Sequence, residues 1–229
     1  MKVYHFISEK YVLDIISDQR LKVSMLDDLN DPFELNAVDL LDIESRQKAN
    51  NFKKFMAKRY GILCFSKVWK NPLLWSHYAN RHKGAAIEFE IKDSIAHPIK
   101  YRKNRHVLNS GKPYQPNSRY GKVDIEGIWL TKYKDWSYEE EVRVIVEKAE
   151  CINENGLLFK KLDSEIKLKG LILGPLCEIK IKSIEESLPA KKAISVMQSR
   201  LAFRSFDIVS QRQFAKKNSN RQIINKYRT

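Results

Sequence analysis

The chain has 229 residues, of which 43% are hydrophobic and 10% aromatic, and this composition excludes a wholly disordered protein. The length favours one domain, because a folded chain of this size buries roughly 70% of the surface that its unfolded form exposes. Lys and Arg total 42 against 28 Asp and Glu, for a formal net charge of +14. Such a surface attracts polyanions, namely nucleic acid, nucleotides or anionic lipid.

The sequence indicates neither a membrane span nor a disulfide framework. No apolar run approaches the roughly 20 residues that a bilayer span needs, and the N-terminal stretch lacks the pattern of a signal peptide. Cys64, Cys151 and Cys177 are far apart and share no CxxC spacing, which argues against both a disulfide framework and a zinc ribbon. We therefore expect a cytoplasmic protein without a membrane partner.

The first half of the chain predicts strands and helices in alternation. An alternating stretch over 2–6 predicts the first strand, and Ser8 is a typical N-cap for the helix that follows. The next predicted elements are, in order, a strand over 21–25, a turn over 26–34, a helix within 35–60, a buried strand over 61–66, a helix over 72–83 and a strand over 85–91. Asn71 and Pro72 are a preferred N-cap and a preferred first residue for the helix over 72–83.

The second half is richer in strands. Residues 104–122 combine Pro, Gly, Asn and Ser with basic residues and predict a mobile basic loop. The later predicted elements are a short helix over 124–133, strands over 141–147 and 169–174, a helix over 177–188, and strands over 193–198 and 201–209. The fold class is α+β, with one domain over 1–210 and a frayed basic tail over 211–229.

Four sequence boxes stand in order along the chain: Tyr4-His5-Phe6, Asn30-Asp31-Pro32-Phe33-Glu34, Leu74-Trp75-Ser76-His77-Tyr78-Ala79, and Trp136-Ser137-Tyr138-Glu139-Glu140-Glu141-Val142-Arg143. Together with the Cys-Phe-Ser end of the strand over 61–66, they resemble a widespread bacterial family known only as a domain of unknown function. The resemblance covers roughly residues 2–210. It departs at Val142, where the family more often has Trp, and it supplies no activity.

The order of an early strand bearing His, an aromatic helix and a late strand bearing Glu is similar, more distantly, to ADP-ribosyltransferases. This resemblance implies a single domain with a central mixed, split β-sheet and flanking helices, and a glycosyltransferase that uses NAD as its substrate. In such enzymes a His holds the nicotinamide-side ribose, an aromatic ring stacks on nicotinamide, and a Glu stabilises the oxocarbenium ion. Families of this kind occur among bacterial toxins and phage-defence components, which implies an antitoxin or defence-system protein as a partner.

Carried onto this sequence, the resemblance gives three catalytic candidates, Glu141, Glu139 and His5. The NAD-binding candidates that it implies are His5, Tyr4, Tyr78, Trp75, Ser66 and Arg143. We expect His5, Tyr78 and Glu141 to converge on one pocket.

The Glu139–Arg143 run is the strongest chemical signal. If the strand begins at Glu139, then Glu139, Glu141 and Arg143 share one face, while Glu140 points to the other face or into a bend. A neighbouring Arg143 keeps Glu141 ionised. We therefore predict Glu141 as the transition-state stabiliser, with Glu139 as its helper.

Each candidate also has an ordinary structural interpretation. His5 would be a hydrogen-bonded core residue, the aromatic side chains of the helix over 72–83 would pack in the core, and the Glu139–Arg143 run would be a solvent-facing ladder of ion pairs. Asp31 would accept backbone N–H bonds in a turn. Asp31 and Glu34 would otherwise form a wall of the substrate cleft or a cation site.

Charge supports a nucleic acid or another acidic acceptor as the second partner. Seven Lys or Arg and no acid lie between His97 and Lys122, and the candidate nucleic-acid contacts are Lys100, Arg102, Lys103 and Arg105. Two alternatives to the transferase stay open. One is a Mg²⁺-dependent nuclease that combines Asp31 or Glu34 with a Glu-x-Lys motif starting at Glu90, Glu165 or Glu178. The other is a non-catalytic nucleic-acid-binding module.

Overall fold

The computed structural model describes residues 1–26, 29, 31–34, 43–105, 129–190, 192–211 and 222–225. Within them, nine strands form one mixed sheet, in the spatial order β13 (Ile208–Ser210), β12 (Ala193–Leu201), β11 (Ile166–Leu173), β4 (Ala85–Ile91), β1 (Lys2–Ile7), β3 (Tyr60–Ser66), β8 (Glu141–Glu147) and β5 (His97–Pro98), with β14 (Gln222–Asn225) also beside β12. The β11–β12 pair is parallel and the other pairs are antiparallel. The predicted α+β class with a mixed sheet is confirmed.

Two smaller sheets and four helices surround this sheet in the described part of the chain. The small sheets are β2 (Arg20–Lys22), β10 (Leu157–Lys161) and β9 (Ile152–Glu154), and the parallel pair β6 (Lys100–Arg102) and β7 (Thr131–Tyr133). The helices are α1 (Val12–Asp18), α2 (Ile43–Arg59), α3 (Pro72–Tyr78) and α4 (Ile181–Ser187). None of them is long and apolar enough to cross a membrane.

The main sheet has a hydrophobic layer on each face, because its central strands alternate between two core clusters. On β1, Val3 belongs to the cluster that includes α1 and α4, whereas Tyr4 and Phe6 belong to the cluster that includes α3. The rings of Phe6 and Trp75 meet edge to face at 5.2 Å. Burying both faces of β1 fixes its register, since a one-residue slip would exchange the two sets of side chains.

The sheet parts between β1 and β3. Six consecutive residue pairs join β1 to β4, but among the described residues a single pair, Tyr4 and Ser66, joins β1 to β3. Beyond that pair the two strands diverge toward Ile7. This opening places backbone and side chains of both strands around a cavity.

The predicted helix over 72–83 ends early, at Tyr78. Asn71 caps it as expected, with its side chain accepting a bond from the Leu73 N–H. Three consecutive left-handed residues follow, with φ of 42°, 52° and 72° at Asn80, Arg81 and His82. This left-handed turn brings the chain to Gly84, where a Cβ would lie 2.0 Å from the Ile7 carbonyl oxygen. The chain reverses here because Gly84 packs directly on the backbone of β1.

Other sequence expectations also need correction. The helix predicted over 124–133 is wrong at Thr131–Tyr133, which form β7, and residues 124–128 lie outside the described ones. The strand predicted over 201–209 is interrupted by a loop at 202–207. Ser8 holds the predicted N-cap position, at the 3₁₀ turn over Glu9–Tyr11 that precedes α1, but its hydroxyl donates to Glu9 and makes no capping bond. Most of the predicted mobile loop, 106–122, lies outside the described residues, and part of the predicted tail forms β14.

Candidate active site

A cavity of about 280 Å³ opens where β1 and β3 part. Its lining includes seven of the residues predicted from the sequence: Tyr4, His5, Glu34, Ser66, Tyr78, Glu139 and Glu141. The predicted convergence of His5, Tyr78 and Glu141 on one pocket is therefore confirmed. Their chemical roles remain predictions.

His5 bridges the two diverging strands. Its Nδ1 lies 2.9 Å from the Cys64 carbonyl oxygen, so the side chain replaces a ladder hydrogen bond that the strands no longer make. Burial lowers the pKa of His5, although the bond to Cys64 opposes this effect. Near neutral pH the ring is neutral, and because a carbonyl can only accept, Nδ1 carries the proton. The Nε2 atom is then a hydrogen-bond acceptor.

Three carboxylates surround one buried lysine. Lys132 Nζ lies 2.7 Å from Glu139 Oε2, 3.1 Å from Glu34 Oε1 and 3.3 Å from Glu141 Oε2. All four side chains are buried. The expected solvent-facing ladder of ion pairs is therefore wrong, since these charges lie in the interior, where each needs a partner.

Arg143 supplies the second cation. Its Nε lies 2.7 Å from Glu141 Oε1 and its Nη2 lies 2.7 Å from Glu34 Oε2, while Nη1 donates to the Trp129 carbonyl. The side chain is only 1% exposed and does not line the cavity. Arg143, a predicted NAD contact, is thus placed outside the cavity lining, and its predicted pairing with Glu141 is confirmed. Three carboxylates against two cations leave the cluster one negative charge in excess when all are ionised.

The surroundings shift the pKa values of Glu139 and Glu141 in opposite directions. Burial raises the pKa of Glu141, but the Arg143 guanidinium and then Lys132 outweigh burial, and the net shift is downward. Burial also raises the pKa of Glu139, and here Lys132 and Tyr78 offset it only in part, so the net shift is upward. Glu141 thus stays ionised over a wide pH range, while Glu139 takes up a proton more readily.

Glu139 reaches the cluster from a different element than expected. It ends a 3₁₀ turn over Lys134–Glu139, and β8 begins only at Glu141. Glu140, between them, is exposed and left-handed with φ 42° and ψ 49°. The expected bend at Glu140 is confirmed, but the strand does not begin at Glu139. The bend turns both neighbouring carboxylates toward Lys132.

Ser66 and Tyr78 support Glu139 from two sides. Ser66 Oγ lies 2.5 Å from the Glu139 carbonyl oxygen and anchors the end of the 3₁₀ turn. The Tyr78 hydroxyl donates to Glu139 Oε1 at 2.5 Å. Trp75, by contrast, is fully buried and donates its Nε1–H to the Trp69 carbonyl. Trp75, a predicted NAD contact, is thus placed in the core and outside the cavity lining.

A second cavity, of about 260 Å³, lies against the same cluster. Arg102, Lys103 and Arg105 line it, and the two cavities share Glu34 and Lys132 as a common wall. Lys100 does not line it, although it lies on β6 next to these residues. The predicted basic patch therefore adjoins the candidate site with three of its four members.

The turn around Asp31 is structural and also places a site residue. Asp31 Oδ1 accepts the Phe33 N–H, and its carbonyl accepts the Glu34 N–H, both at 2.9 Å. This confirms the turn interpretation of Asp31. The same turn directs Glu34 onto Arg143 and Lys132.

The three glutamates of the nuclease motifs, Glu90, Glu165 and Glu178, line neither cavity. Glu90 lies on β4 and pairs with Lys169, and Glu165 pairs with Lys92. Strands β1 and β3 separate β4 from β8, which is a gap of roughly 14 Å at the usual spacing. Within the described ranges, no group of three or more His, Cys, Asp or Glu is arranged to hold a metal ion.

Sequence reasoning missed two residues of the site. Lys132 and Tyr101 lie on the paired strands β7 and β6, and the Tyr101 hydroxyl accepts the Glu141 N–H at 2.7 Å. Desolvation raises the pKa of Tyr101 to about 12, so this hydroxyl stays protonated. The one available signal was the alternation of Thr131, Lys132 and Tyr133, which suits a strand better than the predicted helix.

Comparison with known proteins finds similarity to a protein family. A family model described as a protein of unknown function, DUF2971, matches residues 74–144. Searches of curated proteins and of solved structures gave no significant match. The chain is thus similar to DUF2971 over the stretch that carries Tyr78, Lys132, Glu139, Glu141 and Arg143.

Proposed function

We propose that the chain is an NAD-consuming enzyme of the ADP-ribosyltransferase type, with an anionic acceptor. The observation that carries this proposal is the convergence of a neutral His5, Tyr78 and two buried carboxylates on one cavity at the parting of β1 and β3. A split central sheet with these residue types at the split is what the distant resemblance implies. The structural correspondence to that fold is itself part of the proposal.

The reaction would begin with cleavage of the glycosidic bond between ribose C1′ and the nicotinamide nitrogen. The bonding electron pair leaves with nicotinamide, which departs neutral, and positive charge develops on the ribose ring. Glu141 is a fixed anion held by Arg143 and Lys132. A preorganised carboxylate beside the developing oxocarbenium ion contributes on the order of several kcal/mol to the transition state.

Transfer would end with a bond from the acceptor's nucleophilic atom to C1′ and loss of a proton from that atom. Glu139 suits the role of proton acceptor, because its pKa is raised toward neutral pH. The Tyr78 hydroxyl and Lys132 hold its two carboxylate oxygens. This orientation would keep Glu139 in place through the reaction.

His5 and Tyr78 would position the NAD. The Nε2 of a neutral His5 accepts a hydrogen bond from a ribose hydroxyl, since Nδ1 is engaged by Cys64. The half-buried ring of Tyr78 offers a face for nicotinamide. A volume of about 280 Å³ lies at the small end for ligand sites and suits the nicotinamide–ribose end of NAD.

The second cavity supports an acceptor with phosphate groups. Arg102, Lys103 and Arg105 would neutralise backbone phosphates, which is the dominant source of affinity for nucleic acids. Because the cavities share Lys132 and Glu34, a bound nucleic acid would lie one layer of side chains from the reacting ribose. A role as a bacterial toxin or phage-defence component, with a cognate antitoxin or defence protein, belongs to the same proposal.

The test is release of nicotinamide from NAD by purified protein, with and without single-stranded RNA or DNA. Glu141→Gln preserves shape but removes the charge, and we expect it to lower turnover by on the order of 10²–10³. Glu140→Gln is the matched control, because this neighbour is exposed at the bend, and it should leave turnover unchanged. Thermal melting of both variants establishes that they are folded.

Two results would overturn the proposal. One is wild-type protein that neither binds nor consumes NAD with any of these acceptors. The other is a folded Glu141→Gln variant with the turnover of the wild type.

A further inference from the structure

The loop at 202–207 that joins β12 to β13 carries an unusual set of exposed apolar side chains. Phe203 is 89% exposed, Phe206 is 96% exposed and the adjacent Leu201 is 60% exposed. The loop is nonetheless tied to the fold. The Ala202 N–H donates to the Asp207 carbonyl at 2.9 Å, and the following Ile208 N–H donates to the Lys70 carbonyl at 2.8 Å.

The shape of this surface argues against a conventional protein interface. At such exposures the two rings project from the body with almost no neighbours, so they form a convex tip and not a groove. A stable protein interface needs roughly 800 Å² of complementary surface on each partner. A projecting tip instead suits a partner that deforms around it, as the interfacial region of a bilayer does.

The charges around the tip indicate that this partner is negatively charged. The Arg200 guanidinium lies 4.2 Å from the centre of the Phe203 ring, and Arg204 and Lys70 are exposed nearby. The acid of the loop, Asp207, accepts a bond from the Ser205 hydroxyl. With a net charge of +14, a second copy of this chain would be repelled from the tip, whereas an anionic surface would be attracted.

We propose that the Phe203–Phe206 tip docks on the surface of membranes that contain anionic phospholipids. The two rings enter the interfacial region, and Arg200, Arg204 and Lys70 contact the acidic headgroups. Surface docking of this kind needs no membrane-spanning helix, but it departs from the sequence expectation of a protein without a membrane partner. The inference is independent of the proposed NAD chemistry.

The experiment is sedimentation of the full chain with vesicles of phosphatidylcholine, with and without phosphatidylserine. We expect binding to the phosphatidylserine vesicles that weakens as salt is added. The double variant Phe203→Ser/Phe206→Ser should bind about a hundredfold more weakly, since each buried ring contributes roughly a factor of ten or more in partition. Phe55→Ser on α2, which removes a 58% exposed ring elsewhere, is the matched control and should bind as the wild type does.

The outcomes separate the alternatives. Equal binding by the wild type and the double variant would reduce the effect to general charge attraction and overturn the proposal. The proposal would also be overturned if the wild-type protein does not bind the vesicles but forms dimers that the double variant cannot form. Both Phe side chains are so exposed that their loss leaves the core intact, and thermal melting verifies this for each variant.

Discussion

Of the charged residues in the candidate site, we expect Lys132 to be the one whose loss destabilises the fold most. Its ammonium group contacts three carboxylates at 2.7, 3.1 and 3.3 Å and is 5% exposed. In Lys132→Met the apolar stem is preserved, but the cluster changes from three carboxylates against two cations to three against one. Removing one partner of a buried ion network costs about 3–5 kcal/mol. For a chain of this length that corresponds to a fall in Tm of roughly 6–20 °C.

The pH dependence gives the sharper test. Losing Lys132 removes a charge that lowers the pKa of Glu139, so in the variant this pKa rises further above its ordinary value of 4.5. A carboxyl group whose folded pKa exceeds the unfolded one stabilises the fold at low pH, and this contribution is lost as pH rises through the folded pKa. The loss in free energy of unfolding caused by Lys132→Met should therefore be largest near neutral pH and smaller toward pH 5.

Urea unfolding at both pH values measures this deficit, and Lys169→Met is the matched control. Lys169 pairs with Glu90 at 3.0 Å, but both side chains are about half exposed, so its loss should cost less than about 1 kcal/mol at either pH. Adding Glu139→Gln to Lys132→Met should recover part of the loss, because it removes one of the unpaired charges. A Lys132→Met variant as stable as Lys169→Met at neutral pH would refute the reasoning.

Three further predictions concern other parts of the site. Tyr78→Phe removes a hydrogen bond that lowers the pKa of Glu139, so the rising limb of the pH profile of NAD turnover should move to higher pH. His5 has a pKa below its ordinary value of 6.5, so its contribution to stability should be lost as pH falls below about 6.5, and the stability difference between wild type and His5→Gln should shrink in the same range. Reversing the charges of Arg102, Lys103 and Arg105 should weaken nucleic-acid binding and reduce its salt slope by about 3.

Each of these has a contradicting result. An unchanged pH profile in Tyr78→Phe would show that Glu139 does not act as the base. A stability difference between wild type and His5→Gln that is independent of pH would contradict the lowered pKa of His5. Triple reversal at the exposed Lys22, Lys167 and Lys182, all outside the second cavity, is the control for net charge. Equal weakening by both triple variants would leave the second cavity without a binding role.

The sequence by itself determined the strands of the central sheet. Alternating and continuous apolar runs predicted β1, β3, β4, β8 and β11, because burial on one or both faces of a sheet imposes a period of two along each strand. The start of α3 was equally clear, since Asn71 and Pro72 act through local backbone geometry. The boxes around His5, Tyr78 and Glu141 also indicated the candidate site.

Tertiary structure decided what these local patterns leave open. The end of α3 at Tyr78 depends on the packing of Gly84 against the Ile7 carbonyl, which no local propensity contains. The sequence predicts a helix at Lys132, whereas the short strand β7 that carries it is defined by its pairing with β6. Whether the Glu139–Arg143 run faces water or the interior depends on Glu34, which arrives from a distant part of the chain, and on Lys132, which the pairing of β7 with β6 positions. The charges and pKa shifts of the site follow from that assembly, because a carboxylate's environment is set by its neighbours in space and not by its neighbours in sequence.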